Sequence, residues 1–323
     1  METRPFGATG LTCSAIGFGC GRTGGLLING PLEDRRRAMR AALDGGINWF
    51  DTAEAYGSEQ ALGELLAEVP EDPHVSTKVT IDAGAPDLAG QVVAHGEACL
   101  QRLGRDRVTV MQFHNRVDPY DADGRGFSAE QMLAPGGPVE GLERLRDAGR
   151  AQFIGFTALG DTPSLIEVIE SGRLNSAQVF YNFVNPSADR AMPAAWSGQR
   201  LTGVLDACER RGMGTIGIRV LVGGVVPEGA AVGRVSMMTK ETDKDTEVRK
   251  TEAALKALGT GYGSRAQTGL RFALACKRLS ICMVGIGVPE HVDAALEAEA
   301  KGPLSAAAVA SLEPVYENNF GLG

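Results

Sequence analysis

The sequence predicts an α/β protein built as a closed (β/α)8 TIM barrel, and three observations carry that expectation. Short apolar or β-branched runs alternate with amphipathic helical patterns almost from end to end. Most of the runs are continuous rather than alternating, as in parallel strands buried on both faces. Eight strand–helix pairs in 323 residues match one barrel, which typically takes about 250 residues plus insertions. A single domain over residues 1–323 is therefore expected.

The strand runs are Ala15–Cys20, Ile47–Asp51, Val75–Val79, Val108–His114, Ala151–Thr157, Ala177–Tyr181, Thr215–Val220 and Ile281–Ile286. The helical patterns are Glu33–Leu43, Glu59–Glu68, Leu88–Leu103, Val139–Ala148, Ser164–Ser171, Leu201–Arg211, Ala266–Ala275 and Glu290–Ala300. Gly45-Gly46, Gly104, Gly149, Gly172, Gly212 and Gly302 stand where helix C-caps belong. Three segments interrupt the alternation. Thr3–Cys13, with the turn Gly7-Ala8-Thr9-Gly10, reads as an N-terminal hairpin plugging that end of the barrel. Asn115–Pro138 and Leu221–Ser264 are long βα loops after the fourth and seventh strands, and the second holds a helical run from Lys240 to Leu258. Such loops lie on the side where barrel active sites are built. An open dinucleotide-binding sheet is disfavoured, because Gly17-Phe18-Gly19-Cys20-Gly21 lacks the G-x-G-x-x-G spacing after the first strand.

A net charge of −8 and a pI near 5.2 exclude nucleic acid and anionic membrane surfaces as natural partners, since both select a basic face. Six cysteines are scattered without a C-x-x-C pair and read as reduced, buried thiols. No run approaches transmembrane length, and no apolar signal region follows Met1-Glu2-Thr3-Arg4, so a cytoplasmic location is expected.

The informative residues are polar ones at strand ends. Asp51 closes the second strand, and Tyr56 follows five positions later in Asp51-Thr52-Ala53-Glu54-Ala55-Tyr56-Gly57-Ser58-Glu59. Lys78 lies near the end of the third strand, and His114 ends the fourth. A lysine in a buried strand must be paired or reach solvent. Each of the four residues alone has an ordinary structural explanation as a cap, a packed ring or a satisfied polar group. A barrel would gather all four at one mouth, where a carboxylate, an ammonium, a phenol and an imidazole can move a proton.

Those residues, with Gly46-Ile47-Asn48-Trp49-Phe50-Asp51-Thr52-Ala53, Tyr56-Gly57-Ser58-Glu59, Gln112-Phe113-His114-Asn115, Leu103-Gly104-Arg105-Asp106 and Gly149–Phe156, resemble the aldo-keto reductase superfamily over essentially the whole chain. The resemblance implies an NAD- or NADP-dependent oxidoreductase without a metal. Its dinucleotide would extend across the C-terminal face of the barrel. It also implies the roles: Tyr56 as proton donor or acceptor, Lys78 as the cation beside it, Asp51 as that cation's anchor, and His114 as the group orienting the carbonyl oxygen.

The cofactor positions depart from the family pattern. Thr157-Ala158 replaces the usual Ser-Asn, while Gln178 matches the glutamine expected at the nicotinamide. Ile218 stands where many members carry a stacking tyrosine, and Arg219 follows it. Gly285, Ile286 and His291 occupy the places of the basic and hydroxyl residues that hold a 2′-phosphate, so NAD is favoured over NADP. The pyrophosphate or the adenosine phosphate is expected at the helix N-terminus opening at Pro289, with Gly285 and Gly287 as further cofactor contacts. Arg234, Lys240 and Lys244 are the evident substitute cations, and Tyr120, Phe127 and Trp196 are candidate pocket walls. The expected substrate is a small carbonyl compound or sugar, as in the NAD-using aldose and pyridoxal dehydrogenase-like branch. The alternatives are an NADPH-dependent reductase of small aldehydes or ketones, and a nucleotide-sensing subunit like the cytoplasmic β subunits of potassium channels. The sequence bears on neither the substrate's identity nor the oligomeric state.

Overall fold

A computed structural model describes residues 1–120, 126–227 and 243–322. An antiparallel hairpin, β1 (Thr3–Pro5) and β2 (Thr12–Ser14), precedes eight parallel strands that close on themselves. These are β3 (Ile16–Gly19), β4 (Trp49–Asp51), β5 (His74–Val79), β6 (Val108–Phe113), β7 (Ala151–Ala158), β8 (Ser176–Phe180), β9 (Gly214–Ile218) and β10 (Ile281–Gly285), with β10 pairing to β3. The helices outside are α1 (Leu26–Asn29), α2 (Leu32–Asp44), α3 (Glu59–Ala67), α4 (Leu88–Leu103), α5 (Ala129–Leu133), α6 (Pro138–Asp147) and α7 (Thr162–Glu170), then α8 (Val204–Arg210), α9 (Lys244–Leu258), α10 (Arg265–Ala275), α11 (Glu290–Ala300), α12 (Ala306–Ala310) and α13 (Glu313–Glu317). The (β/α)8 expectation holds, and every predicted strand run overlaps an observed strand.

The two-residue period of the strands sorts side chains to opposite faces. On β5, Ser76 and Lys78 bond to Asp51, whereas Thr77 between them bonds to Glu59 of α3. Register then aligns the inward polar residues: Asp51 lies opposite Ser76, Lys78 opposite Gln112, and Thr157 opposite Gln178. One end of the barrel is thus polar. The other end is apolar and closed by the hairpin: Phe6 is fully buried with Trp49, Val110, Ile216 and Ile281, and its ring centre lies 4.5 Å from that of Trp49. Gly214 has to be glycine here, since a Cβ on it would stand 2.6 Å from the Phe6 ring. Arg4 locks the hairpin down by donating to the carbonyls of Leu279 at 2.8 Å and Leu274 at 2.9 Å.

Differences from the sequence reading have local causes. The helix expected from Leu201 begins at Val204, because Gly203 takes a left-handed φ of 91° that belongs to a turn. α9 begins at Lys244, where Asp243 accepts the backbone N–H of Thr246 at 2.8 Å. Arg234 and Lys240 lie outside the described residues. The short helices α1, α5, α12 and α13 were not anticipated, since four or five residues cannot display a helical period. Among the described residues, no helix is long and apolar enough to cross a membrane.

Candidate active site

Asp51 ends β4 and points across the polar end of the barrel. Its Oδ2 accepts from Lys78 Nζ at 2.5 Å, and its Oδ1 accepts from Ser76 Oγ at 2.6 Å and Gln178 Nε2 at 2.7 Å. Lys78, fully buried, spends its other donors on the Thr52 carbonyl at 2.7 Å and on Tyr56 Oη at 3.5 Å. Burial opposes the lysine's charge. The Asp51 carboxylate and the Tyr56 oxygen outweigh it, and the Lys78 pKa stands above its ordinary value. The ammonium therefore holds its proton and acts as a fixed cation beside the phenol.

Tyr56 sits on a single 3₁₀ turn (Glu54–Tyr56) that the chain enters directly from β4 and leaves through Gly57, whose left-handed φ of 79° turns it into α3. The Thr52 and Ser58 hydroxyls, 2.8 Å apart, close the base of that loop. The Tyr56 ring meets His114 edge to face with centres 5.5 Å apart. Burial, with Lys78 and Arg219 nearby, depresses the His114 pKa to about 3, so its imidazole is neutral and carries one N–H. Arg219 takes a left-handed φ of 56° immediately after β9, and burial lowers its pKa, with Arg116 adding to the effect and Tyr56 opposing it.

These groups open into a cavity of about 540 Å³. Near one part of its wall are Asp51, Tyr56, His114, Thr157, Gln178, Ile218 and Arg219. Gly285, His291 and Gln267 line it as well, together with Gly21, Arg22, Thr23 and Gly24 from the loop after β3. The hydroxyl of Thr157 is buried and has no hydrogen-bond partner among the described residues. His291 accepts the Gly287 backbone N–H on Nδ1 at 3.1 Å, so it caps its own helix entry, and burial lowers its pKa.

The chain matches the aldo/keto reductase family over residues 15–317. It belongs to that family. Among its relatives, L-galactose dehydrogenase of Arabidopsis thaliana is 26% identical over 315 residues, covering 94% of this chain and 90% of that protein. Pyridoxal 4-dehydrogenase of Microbacterium luteolum is 42% identical over 81 residues, 24% of each chain. The solved structure of aldo-keto reductase AKR11C1 from Bacillus halodurans in its holo form superposes with a TM-score of 0.72 at 18% identity, covering 98% of this chain and 96% of that one, which shows the shared fold.

As an aldo/keto reductase the protein is an oxidoreductase of carbonyl or alcohol groups. The barrel brings together Asp51, Tyr56, Lys78 and His114, and the cavity collects Thr157, Gln178, Ile218, Arg219, Gly285 and His291 beside them. Gly287 reaches the site through its bond to His291 rather than as part of the wall. The candidate pocket walls fall elsewhere. Phe127 is wholly buried against Phe113, Trp196 is buried beneath Arg200, and Tyr120 is 83% exposed. Arg22, Gly24 and Gln267 were missed. The glycine cluster around Arg22 was the available signal for the first two, whereas Gln267 reads from sequence only as a helix-capping residue after Ser264.

Proposed function

We propose that this aldo/keto reductase interconverts a carbonyl and an alcohol on a small sugar or aldehyde, using a nicotinamide dinucleotide, with Tyr56 as proton donor and acceptor. One observation carries the reading: Lys78 Nζ stands 2.5 Å from the Asp51 carboxylate and 3.5 Å from the Tyr56 oxygen, and both of those partners line the cavity. A structural ion pair would not need a phenol as its third member.

The residues present fit a dinucleotide. The cavity wall is glycine-rich, and a Cβ on Gly24 would stand 2.4 Å from the Ile286 backbone, so only glycine lets the loop after β3 pack against the end of β10 along the cavity wall. The buried Thr157 hydroxyl, without a partner among the described residues, and the Gln178 amide oxygen, whose nitrogen is committed to Asp51, would hold a carboxamide, and Arg22 would offer charge to a pyrophosphate. When bound, the nicotinamide supplies or accepts the hydride. This chain's residues do the rest. His114 donates its N–H to the carbonyl oxygen and orients it. Tyr56 delivers a proton to that oxygen, and Lys78 steadies the phenolate left behind. Asp51, saturated by Ser76 and Gln178, keeps Lys78 in place. In the oxidative direction the phenolate takes the proton back.

The cofactor is NAD in preference to NADP. His291 is neutral and bonded to the Gly287 backbone, and a lysine at Gly285 would crowd Gly24, whose nitrogen lies 3.3 Å from a Cβ placed there. A 2′-phosphate needs charge-assisted donors that these residues lack. The resemblance to L-galactose dehydrogenase supports a sugar as substrate.

Tyr56→Phe should reduce kcat by at least about 10²-fold and leave nucleotide affinity nearly unchanged, because the lost group acts only in the chemical step. Near-normal kcat would overturn the mechanism. A wild type that binds nucleotide yet turns over no aldose or aldehyde would favour the sensing subunit instead. Fluorescence titration with NADH and NADPH tests the cofactor: tenfold tighter NADPH would reverse the assignment and support the reductase alternative.

A further inference from the structure

The loop carrying Tyr56 is flanked by two glutamates, Glu54 and Glu59, and both reach outward to the same helix. Glu59, almost fully buried, accepts from Thr77 Oγ1 of β5 and from Arg102 Nε of α4, each at 2.5 Å. Glu54 accepts the backbone N–H of Thr80, two residues beyond Lys78, through Oε1. Its Oε2 lies 2.9 Å from His95 Nδ1 and 3.9 Å from Arg102. His95 and Arg102 are seven residues apart on α4, two helical turns, and so share one face. None of these groups touches the cavity.

The arrangement solves a mechanical problem. Tyr56 stands on a single turn, and among the described residues its own backbone contributes only the N–H bond to the Ala53 carbonyl at 3.0 Å. A turn of that length has little stiffness of its own. Lys78, by contrast, is fixed within β5. The Glu54–Thr80 bond ties the turn to the exit of that strand, and the His95 contact ties it to α4, so the Tyr56–Lys78 separation is set from outside the cavity.

We propose that Glu54 is a positioning residue for the proton donor, clamping the Tyr56 turn to the end of β5 with His95 as its brace. The inference rests on Tyr56 being the proton-transferring group. Loss of the clamp displaces the phenol from Lys78 while the nucleotide pocket stays intact. A displacement of about 1 Å at a reacting group can cost on the order of 10²-fold in rate.

The test compares Glu54→Ala, Glu54→Gln and His95→Ala with Tyr56→Phe, reading kcat, KM, nucleotide affinity by fluorescence, and thermal midpoint. Glu54→Ala should lose roughly 10- to 100-fold in kcat with KM and nucleotide affinity within about twofold of wild type. Glu54→Gln keeps an acceptor for the Thr80 N–H and should recover most of the rate, and His95→Ala should show a smaller loss of the same kind. If Glu54→Ala keeps kcat within twofold while Tyr56→Phe is inactive, the clamp is refuted and the role of Tyr56 stands. Losses in kcat, KM and nucleotide affinity together, unrescued by glutamine, would show a general structural role and also refute it. Should Glu54→Ala fail to fold, Glu54→Gln and the partly exposed His95→Ala decide: a selective kcat loss in His95→Ala supports the clamp, and unchanged kcat overturns it. Activity retained in Tyr56→Phe would remove the premise, and the clamp with it.

Discussion

At His114 burial decides which chemistry the residue can perform. Its imidazole titrates at about 3 in the folded chain against an ordinary 6.5, because the cavity wall desolvates it and Lys78 and Arg219 repel a further proton. Between those values the unfolded chain binds the extra proton and the folded chain does not, so acid favours unfolding. The stability owed to a neutral His114 is complete above about pH 6.5 and declines as the pH falls toward 3, by up to about 1.4 kcal/mol per unit. Urea midpoints measured from pH 7 to pH 4 should fall less steeply in His114→Gln than in wild type; equal slopes would show that His114 does not titrate in this window. The ion pair makes a second, asymmetric prediction. Asp51→Asn strands the buried Lys78 ammonium and should destabilise by about 3–5 kcal/mol. Lys78→Met should cost less, because Asp51 keeps the Ser76 and Gln178 donors. Denaturant unfolding of both variants gives the order. The four residues were legible because strand ends in a barrel converge; the donors that fix Asp51 were not, since Ser76 meets it only through the register of β4 with β5 and Gln178 only from β8 across the barrel.

Among the elements, those buried on both faces were the readable ones. β6 and β7 are apolar runs broken by only two polar residues each, and the sequence places their ends within one residue of the observed ones. The segment between β8 and α8 was opaque for the opposite reason. Asn182 Oδ1 accepts the N–H groups of Val184 and Asn185, Asn185 Oδ1 accepts from Ser187, and Asn319 Oδ1 accepts the Ser197 N–H. Side-chain caps of backbone groups leave no period to detect. The hairpin behaves as an element with one essential side chain. Phe6→Ala removes a fully buried ring facing Trp49 and Gly214, and should lower stability by about 3–5 kcal/mol without changing kcat at temperatures where the variant stays folded. Calorimetry together with initial rates separates the two effects, and a loss of kcat in the folded variant would mean that the two ends of the barrel communicate.

Taken whole, the molecule is acidic at −8, yet among the described residues that line its cavity are Arg22 and Arg219, and the one carboxylate among them, Asp51, is matched by Lys78. A positive recess in a negative body attracts anions locally and repels them at a distance. Nucleotide affinity should therefore weaken as salt rises from about 50 to 300 mM, by roughly several-fold, as screening reaches charges at the cavity mouth. An affinity indifferent to salt would mean that the arginines do not meet the ligand's phosphates. The sign of that recess could not be read from the sequence: Arg22 and Arg219 are far apart along the chain, and only the closure of β10 against β3 puts their loops around one opening.

The hairpin's anchors also dictate an order of events during synthesis. Its floor contacts lie almost a full chain length away: Arg4 grips the carbonyls of Leu274 and Leu279, the Glu2 N–H reaches Glu299, and Phe6 needs Gly214 and Ile281. Until β10 has left the ribosome, the Phe6–Trp49 pair lacks Ile281, and an apolar ring made early stays incompletely covered while the intervening strands are synthesised. A chain halted before Ile281 is therefore a sticky, unsealed intermediate, one that holdase chaperones should retain and the finished protein should escape.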